Sequence, residues 1–501
     1  METAANEKTM NLSNATLSDL PGHIQRPLYN RADLRPGIVH IGVGNFHRAH
    51  QAWYLHRLMQ MGQALDWAII GAGVRPTDAM MRDKLLAQDC LTSLLELSPA
   101  GSTAEVTGAM IDFLPIEETN AALIATLSDP TIRIVSLTVT EGGYFIKPET
   151  GALDVEHPDI RHDAAHPDSP RTAFGALVAA LRARRLAGHL PFTAQCCDNL
   201  QGNGDILRRV VCSLAEMTDP DLADWIDQAG AFPNSMVDCI VPATGAEELA
   251  LARRFGLNDA APVTHENFRQ WVIEDHFCAG RPAWEQVGAI LTNDVHAYET
   301  MKIRILNAGH QVLANAGELL SLHTIAECMS DAVVTGFFNK VQREEIAPYV
   351  RSVPDMSPQA YIALISERFR NPAIRDTTRR VAYDGSARHP GFVLPVLRDA
   401  LQAEGSITGL ALVEALWCKM CRGVREDGQT IAPNDPNWDV LQIHARQSQT
   451  SPQAWLEQQA IYGSISNNPL FSNAFENALG ALDTLGVEQT LKAYIAGENG
   501  L

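Results

Sequence analysis

Two patterns in the 501 residues predict an α/β domain built on a parallel sheet, followed by a mostly α-helical domain. In the first half, short β-branched runs alternate with helical stretches, as βαβ units require. From about Thr300 the strand signal fades and apolar residues recur at three- and four-residue spacing. The composition, 46% hydrophobic and 20% charged, suits a chain able to bury a sizeable core. At ~150 residues per domain, the length allows two to four units.

Element by element, the opening ~20 residues read as a loose polar arm. The strands expected after it are Ile38–Gly42, Trp67–Gly71, Arg133–Thr140 and Phe192–Cys196. The helices expected between and after them are Ala49–Met61, Asp78–Gln88, Thr172–Ala187 and Asp205–Met217. In the second half, Ile305–Ser321, Pro358–Phe369, Gly391–Ala403, Thr408–Val424 and Pro452–Ile461 carry helical periodicity. Ser357, Asn371, Ser406 and Ser451 stand where N-caps are expected. The domain division therefore falls between 1–290 and 291–501. A cleft between two such domains is a common place for a small-molecule site.

Charge and cysteine usage narrow the function classes. Aspartate and glutamate outnumber lysine and arginine 59 to 39, a formal charge of −20. That surplus argues against nucleic acid or anionic lipid as a partner, since both attract basic surfaces. The stretch Met1–Pro36 is polar and no run of ~20 apolar residues occurs, so neither secretion nor membrane spanning is expected. Nine scattered cysteines read as reduced thiols of a cytoplasmic protein. Cys418 and Cys421 form a C-x-x-C pair inside an apolar run, which reads as core packing.

The first chemical motif is IVHIGVGNFHRAH at 38–50. An apolar strand ends at Gly42-Val43-Gly44 and a helix starts shortly after, the turn that sets backbone N–H groups against a pyrophosphate. The third glycine of a G-x-G-x-x-G fingerprint is replaced by His47, so the motif alone is weak. Gly42, Gly44, Phe46 and Arg48 are its candidate cofactor contacts; Arg48 suits either a phosphate or a solvated first turn. At the end of the second strand, Arg75 favours a 2′-phosphate and Asp78 a free ribose, so these residues leave NADP and NAD both open.

The second motif is MKIRILNAGHQVLANAG at 301–317. On an α-helix, Asn307 lies ~140° and His310 ~80° round from Lys302, which puts all three on one side. Apolar neighbours bury the helix, and a buried polar cluster needs partners. A desolvated lysine with a lowered pKa can take a hydroxyl proton. An asparagine amide can stabilise the oxygen as charge develops, and a histidine can orient a neighbouring hydroxyl. An isolated Lys or His on a helix is usually ordinary; the nucleotide motif upstream is what favours chemistry here.

With these motifs in hand, the sequence resembles the polyol-specific long-chain dehydrogenases, the mannitol 2-dehydrogenase-like family. D-arabinitol 4-dehydrogenase and fructuronate reductase also belong to it. The resemblance runs from about Pro27 to Gly480 through GVGNFHRAHQAWY (42–54), SLTVTEGGY (136–144), CDNLQGNG (197–204), FPNSMVDCIVP (232–242), QWVIEDHF (270–277), GRPAWEQVG (280–288), K-x4-N-x2-H (302–310) and DGSARHPGF (384–392). It implies a Rossmann-type domain before a mostly helical one, and a zinc-independent, NAD-dependent secondary-alcohol dehydrogenase. It further implies Lys302 as general base, Asn307 and Asn199 as the oxyanion pair, and His310 as a substrate contact. Glu141 would line the site and pass the proton to solvent, and Asp238, Arg380 and Arg388 would bind substrate hydroxyls by charge-assisted hydrogen bonds. The sequence departs from the family pattern at Cys239, where an arginine is usual, at Gly309, where a serine is usual, and at Arg388, where a lysine is usual.

The expected activity is reversible oxidation of a sugar alcohol to a ketose, D-mannitol to D-fructose first. Fructuronate reduction and D-arabinitol oxidation keep the chemistry and change the substrate; a carboxylate substrate would use Arg380 and Arg388 together. Zinc chemistry through Cys196, Cys197 or His310 fits poorly by spacing, and no metal is expected.

Overall fold

β1 (Pro36–Ile41) is the centre of the first unit because both its faces are apolar: Val39 and Ile41 point to one side of the sheet and Ile38 to the other. It pairs in parallel with β2 (Ala68–Ala72) and with β4 (Ile134–Leu137). β3 (Met110–Phe113) extends the sheet beyond β2, and β5 (Thr193–Cys196) beyond β4, both again parallel. The resulting order β3-β2-β1-β4-β5 is that of a Rossmann sheet, whose direction of winding reverses between β1 and β4. The protein is represented by a computed structural model that describes residues 9–147 and 150–497. The chain divides into two units, Met1–His296 and Ala297–Leu501.

Helices cover both faces of this sheet. α1 (Asn45–Ala49) and α2 (Gln51–Gln60) follow β1, and Leu55, Leu58 and Met59 bury against Ile38, Ile69 and Ile134. α3 (Asp78–Leu86) follows β2. On the opposite face α4 (Ala173–Leu186) and α5 (Asn203–Glu216) bring Leu177, Leu181, Val210 and Leu214 onto Val39, Ile41, Val135 and Leu137. Thr172 caps α4 by accepting from Gly175 N–H at 3.0 Å. The parallel α/β expectation therefore holds: the four expected strands form with ends shifted by at most three residues, and β3 joins them unexpected.

The unit also holds strands absent from the sequence reading. Thr92–Ser98 pairs antiparallel with Gly101–Thr107 and parallel with Val263–Glu266. Ser235–Asp238 pairs antiparallel with Gln270–Glu274, which pairs in parallel with Ile290–Thr292. Their sequences, such as TSLLELS and GSTAEVT, are rich in Ser, Thr and Glu, and long-range pairing supplies what local periodicity does not signal.

The second unit is helical, as expected. Its spine includes α6 (Ala308–Leu319), α7 (Pro358–Phe369), α8 (Thr408–Cys421) and α9 (Pro469–Leu485). Ser357 caps α7 as anticipated, by accepting from Ala360 N–H at 3.1 Å. The other three expected caps do not form. Asn371 closes a turn onto Ala373 N–H, Ser406 lies outside α8, and Pro452 precedes the short helix Gln453–Leu456. At α8 the buried Glu345 does the capping instead, accepting from Gly409 and Leu410 N–H at 2.8 and 2.9 Å. Pro452–Ile461 breaks into two four-residue helices, Gln453–Leu456 and Gln459–Tyr462. Cys418 and Cys421 are wholly buried in α8. Among the described residues no helix is long and apolar enough to cross a membrane.

Three stretches are π-helical: Lys302–Asn307, Val341–Ile346 and His389–Val393, and the first packs against the other two. A π turn closes i→i+5 hydrogen bonds, is wider than an α turn, and persists only where packing compensates it. Here Gln342, from the second π turn, donates its Nε2–H to the Ile305 carbonyl in the first at 2.8 Å. Gly309 makes room for that amide, since a Cβ there would lie 2.5 Å from Gln342 Nε2 and 3.1 Å from Phe338. Gly309→Ala should push Gln342 off Ile305 and destabilise the fold by about 1–2 kcal/mol, read as a lower urea midpoint. An unchanged midpoint would show that the amide relocates without cost.

Candidate active site

In the first unit a candidate cofactor site forms at the carboxyl ends of β1, β2 and β4, where an open α/β sheet binds its ligand. A cleft of about 270 Å³ there is lined by Ile41, Gly42, Val74, Arg75, Asp78 and Thr138 among others. Gly42 has φ +93°, and a Cβ on it would collide with the Thr138 carbonyl. Its own carbonyl accepts from Thr138 Oγ1 at 2.7 Å and from Gly44 N–H at 2.8 Å, which holds the turn closed. Gly44 precedes α1, and a Cβ there would meet nothing within 4 Å, so its open side faces no protein atom. Gly42→Ala should cost at least about 2 kcal/mol of stability and weaken NADH binding, measured by denaturant unfolding and nucleotide fluorescence titration. Full NADH affinity in that variant would remove this turn from cofactor binding.

The remaining residues of the glycine motif hold the turn from beneath. Arg48 is buried, and its guanidinium donates to the carbonyls of Ala261 and Gly44 and to Asn45 Oδ1. It is therefore not a solvated first-turn cation; burial pulls it down to about 10 even with Asp259 near. Phe46 stacks on His50 at 4.8 Å and packs into the core. His47, standing where a third glycine is usual, stacks on His40 at 3.3 Å. His40 bonds Ser136 Oγ and Thr138 Oγ1, and so joins β1 to the loop after β4. At the second strand's end, Asp78 Oδ2 accepts from Val74 and Arg75 N–H at 3.1 and 3.0 Å, and the exposed Arg75 reaches Val139 O.

Burial holds His40 at about 3 and His47 well below its ordinary value. An unfolded chain protonates both near pH 6.5. Below that pH the unfolded state binds more protons than the folded one, so acid favours unfolding. Stability should be fully present above about pH 6.5 and fall by about 1 kcal/mol per pH unit per histidine as pH drops toward the folded values. Urea midpoints between pH 7 and pH 5 check this, and His40→Gln should flatten the dependence.

Two more candidate groups stand on neighbouring strands. Asn199 is exposed on the loop after β5, and Asp238 is the buried last residue of Ser235–Asp238. Two residues that sequence reasoning passed over position them. Asp198 accepts from Val139 and Thr140 N–H at 3.0 and 2.9 Å and from Tyr144 OH at 2.6 Å, tying the CDN loop to the TEGGY loop. Asn203 donates to the carbonyls of Asp198 and Ser235 and accepts from Ser235 N–H, tying that same loop to the Asp238 strand. Their signal was their place inside recognisable motifs, next to residues given roles. Glu141 opens the turn Glu141–Tyr144, and its side chain lies outside the described residues.

In the second unit, Lys302 begins and Asn307 ends the π turn, with His310 one turn into α6. The Ala308 N–H returns to the Ile303 carbonyl, five residues back. An i→i+5 turn brings positions 302 and 307 closer round the axis than the ~140° of an α-helix. Lys302 is buried at 7% exposure, and Asn307 Oδ1 is buried with no hydrogen-bond partner among the described residues. His310 stacks on Phe369 at 4.4 Å with an interplanar angle of 16°. Burial, against the attraction of Asp376 and with repulsion from Arg380, Arg388 and Arg368, holds His310 at about 4, so it is neutral at neutral pH. Arg380 Nε and Nη2 both meet Asp376 Oδ1 at 2.7 Å. Arg388 donates Nη1 to the carbonyls of Arg380 and Val381. Among the described residues, no group of three or more His, Cys, Asp and Glu is arranged to hold a metal ion.

A Rossmann-ordered sheet with a glycine turn at its switch point, and a helical unit carrying K-x4-N-x2-H on a π turn, define the class: a nucleotide-dependent alcohol dehydrogenase. The mannitol dehydrogenase Rossmann domain family matches residues 36–286, and the mannitol dehydrogenase C-terminal domain family matches residues 294–483. The chain belongs to the mannitol dehydrogenase family. It is 54% identical to the mannitol 2-dehydrogenase of Cereibacter sphaeroides, over 94% of this chain and 99% of that one. It is 39% identical to that of Phaeosphaeria nodorum, over 97% and 86%. Among solved structures, Pseudomonas fluorescens mannitol 2-dehydrogenase in a ternary complex with NAD and D-mannitol matches with a TM-score of 0.88 and 40% identity, covering 97% of this chain and all of that one. A substrate-free D-sorbitol dehydrogenase also matches at 0.88, with 35% identity, covering 96% and 100%.

Proposed function

We propose that this chain catalyses the reversible NAD-dependent oxidation of D-mannitol to D-fructose. The observation that carries the reading is its end-to-end similarity to an enzyme solved with NAD and D-mannitol, together with Lys302, Asn307 and His310 on one helix. The glycine cradle at Gly42 and Gly44 and the Asp78 carboxylate at the end of β2 suit a dinucleotide with a free adenosine ribose. Phe46 and Arg48 support that cradle from below, and Arg75 lines its rim. NAD, when bound, accepts the hydride.

The chain's own groups supply the rest. Lys302, only 7% exposed, takes the hydroxyl proton. The amides of Asn307 and Asn199 donate to the oxygen as negative charge builds on it, which lowers the barrier to hydride departure. Glu141 passes the proton on to solvent. His310, Asp238, Arg380 and Arg388 bind the remaining hydroxyls. Cofactor binding thus belongs to residues 1–290 and proton abstraction to residues 291–501. All nine cysteines stand outside disulfides, which suits the reducing cytoplasm.

A polyol is favoured over a sugar acid by how the two arginines are held. Two Arg380 donors lie on Asp376 and an Arg388 donor lies on backbone carbonyls, so they do not stand as an open fork for a carboxylate. Lys302→Ala should lower turnover about 10²–10⁴-fold and leave NADH affinity nearly intact; near-normal turnover would refute the base assignment. Asn307→Ala should slow the hydride step more than it weakens cofactor binding. Initial rates on D-mannitol, D-sorbitol, D-arabinitol, D-fructose and fructuronate, each with NAD(H) and NADP(H), should rank D-mannitol and D-fructose with NAD(H) first. Preference for fructuronate would overturn the substrate, and no turnover of any of them the activity.

A further inference from the structure

Asp376 belongs to none of the motifs that marked the site, yet two of the candidate substrate groups converge on it. Its carboxylate is 6% exposed. Oδ1 accepts from both Nε and Nη2 of Arg380, whose own side chain is 60% exposed. Oδ2 is buried, has no hydrogen-bond partner among the described residues, and lies 3.9 Å from His310 Nε2. That nitrogen is likewise buried and without a partner. Two complementary polar atoms left unmade at this distance are costly to bury, and a movement of about 1 Å would bring them to the length of a charge-assisted hydrogen bond. Hydrogen bonds of catalytic groups are often long before substrate binds and tighten in the complex.

The ring's freedom is restricted to one choice. Stacking on Phe369 sets its plane, and burial keeps it neutral, so only the position of the single ring proton is open. A carboxylate facing Nε2 favours the tautomer with the proton on that nitrogen, since the alternative sets a lone pair against a negative oxygen.

We propose that Asp376 is a positioning residue that holds the proton of His310 on Nε2, so that Nδ1 presents a lone pair to a substrate hydroxyl, while the same carboxylate aims Arg380. The site then offers the polyol an acceptor on His310 and the Arg380 N–H groups not engaged by Asp376, both set by one anion. This rests on the polyol-dehydrogenase reading given above.

The test reads tautomer and kinetics separately. ¹⁵N NMR of histidine-labelled protein, with His310→Gln to identify the signal, should show His310 protonated on Nε2 in the wild type. Asp376→Asn should shift it toward Nδ1–H and lower kcat/KM for D-mannitol about 10–100-fold, with NADH affinity unchanged. Asp376→Glu should restore the Nε2–H tautomer, and Arg380→Ala should raise KM while leaving that tautomer in place. A wild type protonated on Nδ1, a tautomer indifferent to Asp376→Asn, or a loss under threefold in kcat/KM would overturn the proposal. If Asp376→Asn fails to bind NADH, the wild-type tautomer and the Asp376→Glu and Arg380→Ala variants decide. The tautomer is read without substrate, so a wild type that oxidises no polyol overturns the functional reading and leaves this inference still measurable.

Discussion

The width of one helical turn governs how the second unit presents its chemistry. Between Lys302 and Asn307 the backbone closes hydrogen bonds five residues apart, which sets these two positions closer round the axis than an α-helix would. A π turn is unfavourable on its own, so something must hold it. That support comes from a second π turn, whose Gln342 amide bonds the Ile305 carbonyl, and from the absence of a side chain at Gly309. The bare backbone at Gly309 is therefore part of what holds the π turn.

A comparable economy of support holds the first unit. The Gly42 carbonyl is bonded by Thr138 and by Gly44, and His40 ties the same threonine to β1. Asp198 and Asn203 connect the two loops that carry Glu141 and Asn199 with the strand that ends at Asp238. In each unit, residues with no proposed chemical role fix the ones with a proposed role, and they do so with buried hydrogen bonds whose loss leaves unpaired groups.

Much of the frame was legible in the chain. Parallel strands buried on both faces read as short β-branched runs, so β1, β2, β4 and β5 stood out, and the glycine turn followed from the strand that ends there. Strands such as Gly101–Thr107 did not, because half their residues are polar and their pairing partners are distant in sequence. Caps were a weaker guide: Ser357 serves as one, whereas α8 is capped by Glu345, sixty-three residues before the helix begins. Arg48 showed the same limit, since adjacency to a phosphate turn says nothing about whether a side chain points outward or is buried beneath it.

What the linear order of residues determined was the class of fold, through periodicity and glycine placement, and the identity of the groups available for chemistry at 302, 307 and 310. Those follow from local rules, because each depends on neighbours within a turn or a strand. Only the folded molecule decided the π geometry that groups Lys302 with Asn307, the burial that keeps His310 neutral, and the meeting of Asp376 with both His310 and Arg380. Behind them stand contacts between side chains tens of residues apart, Gln342 on Ile305 and Phe369 and Asp376 at His310, whose approach is set by packing and by the need to pair buried polar atoms, and no local pattern encodes it.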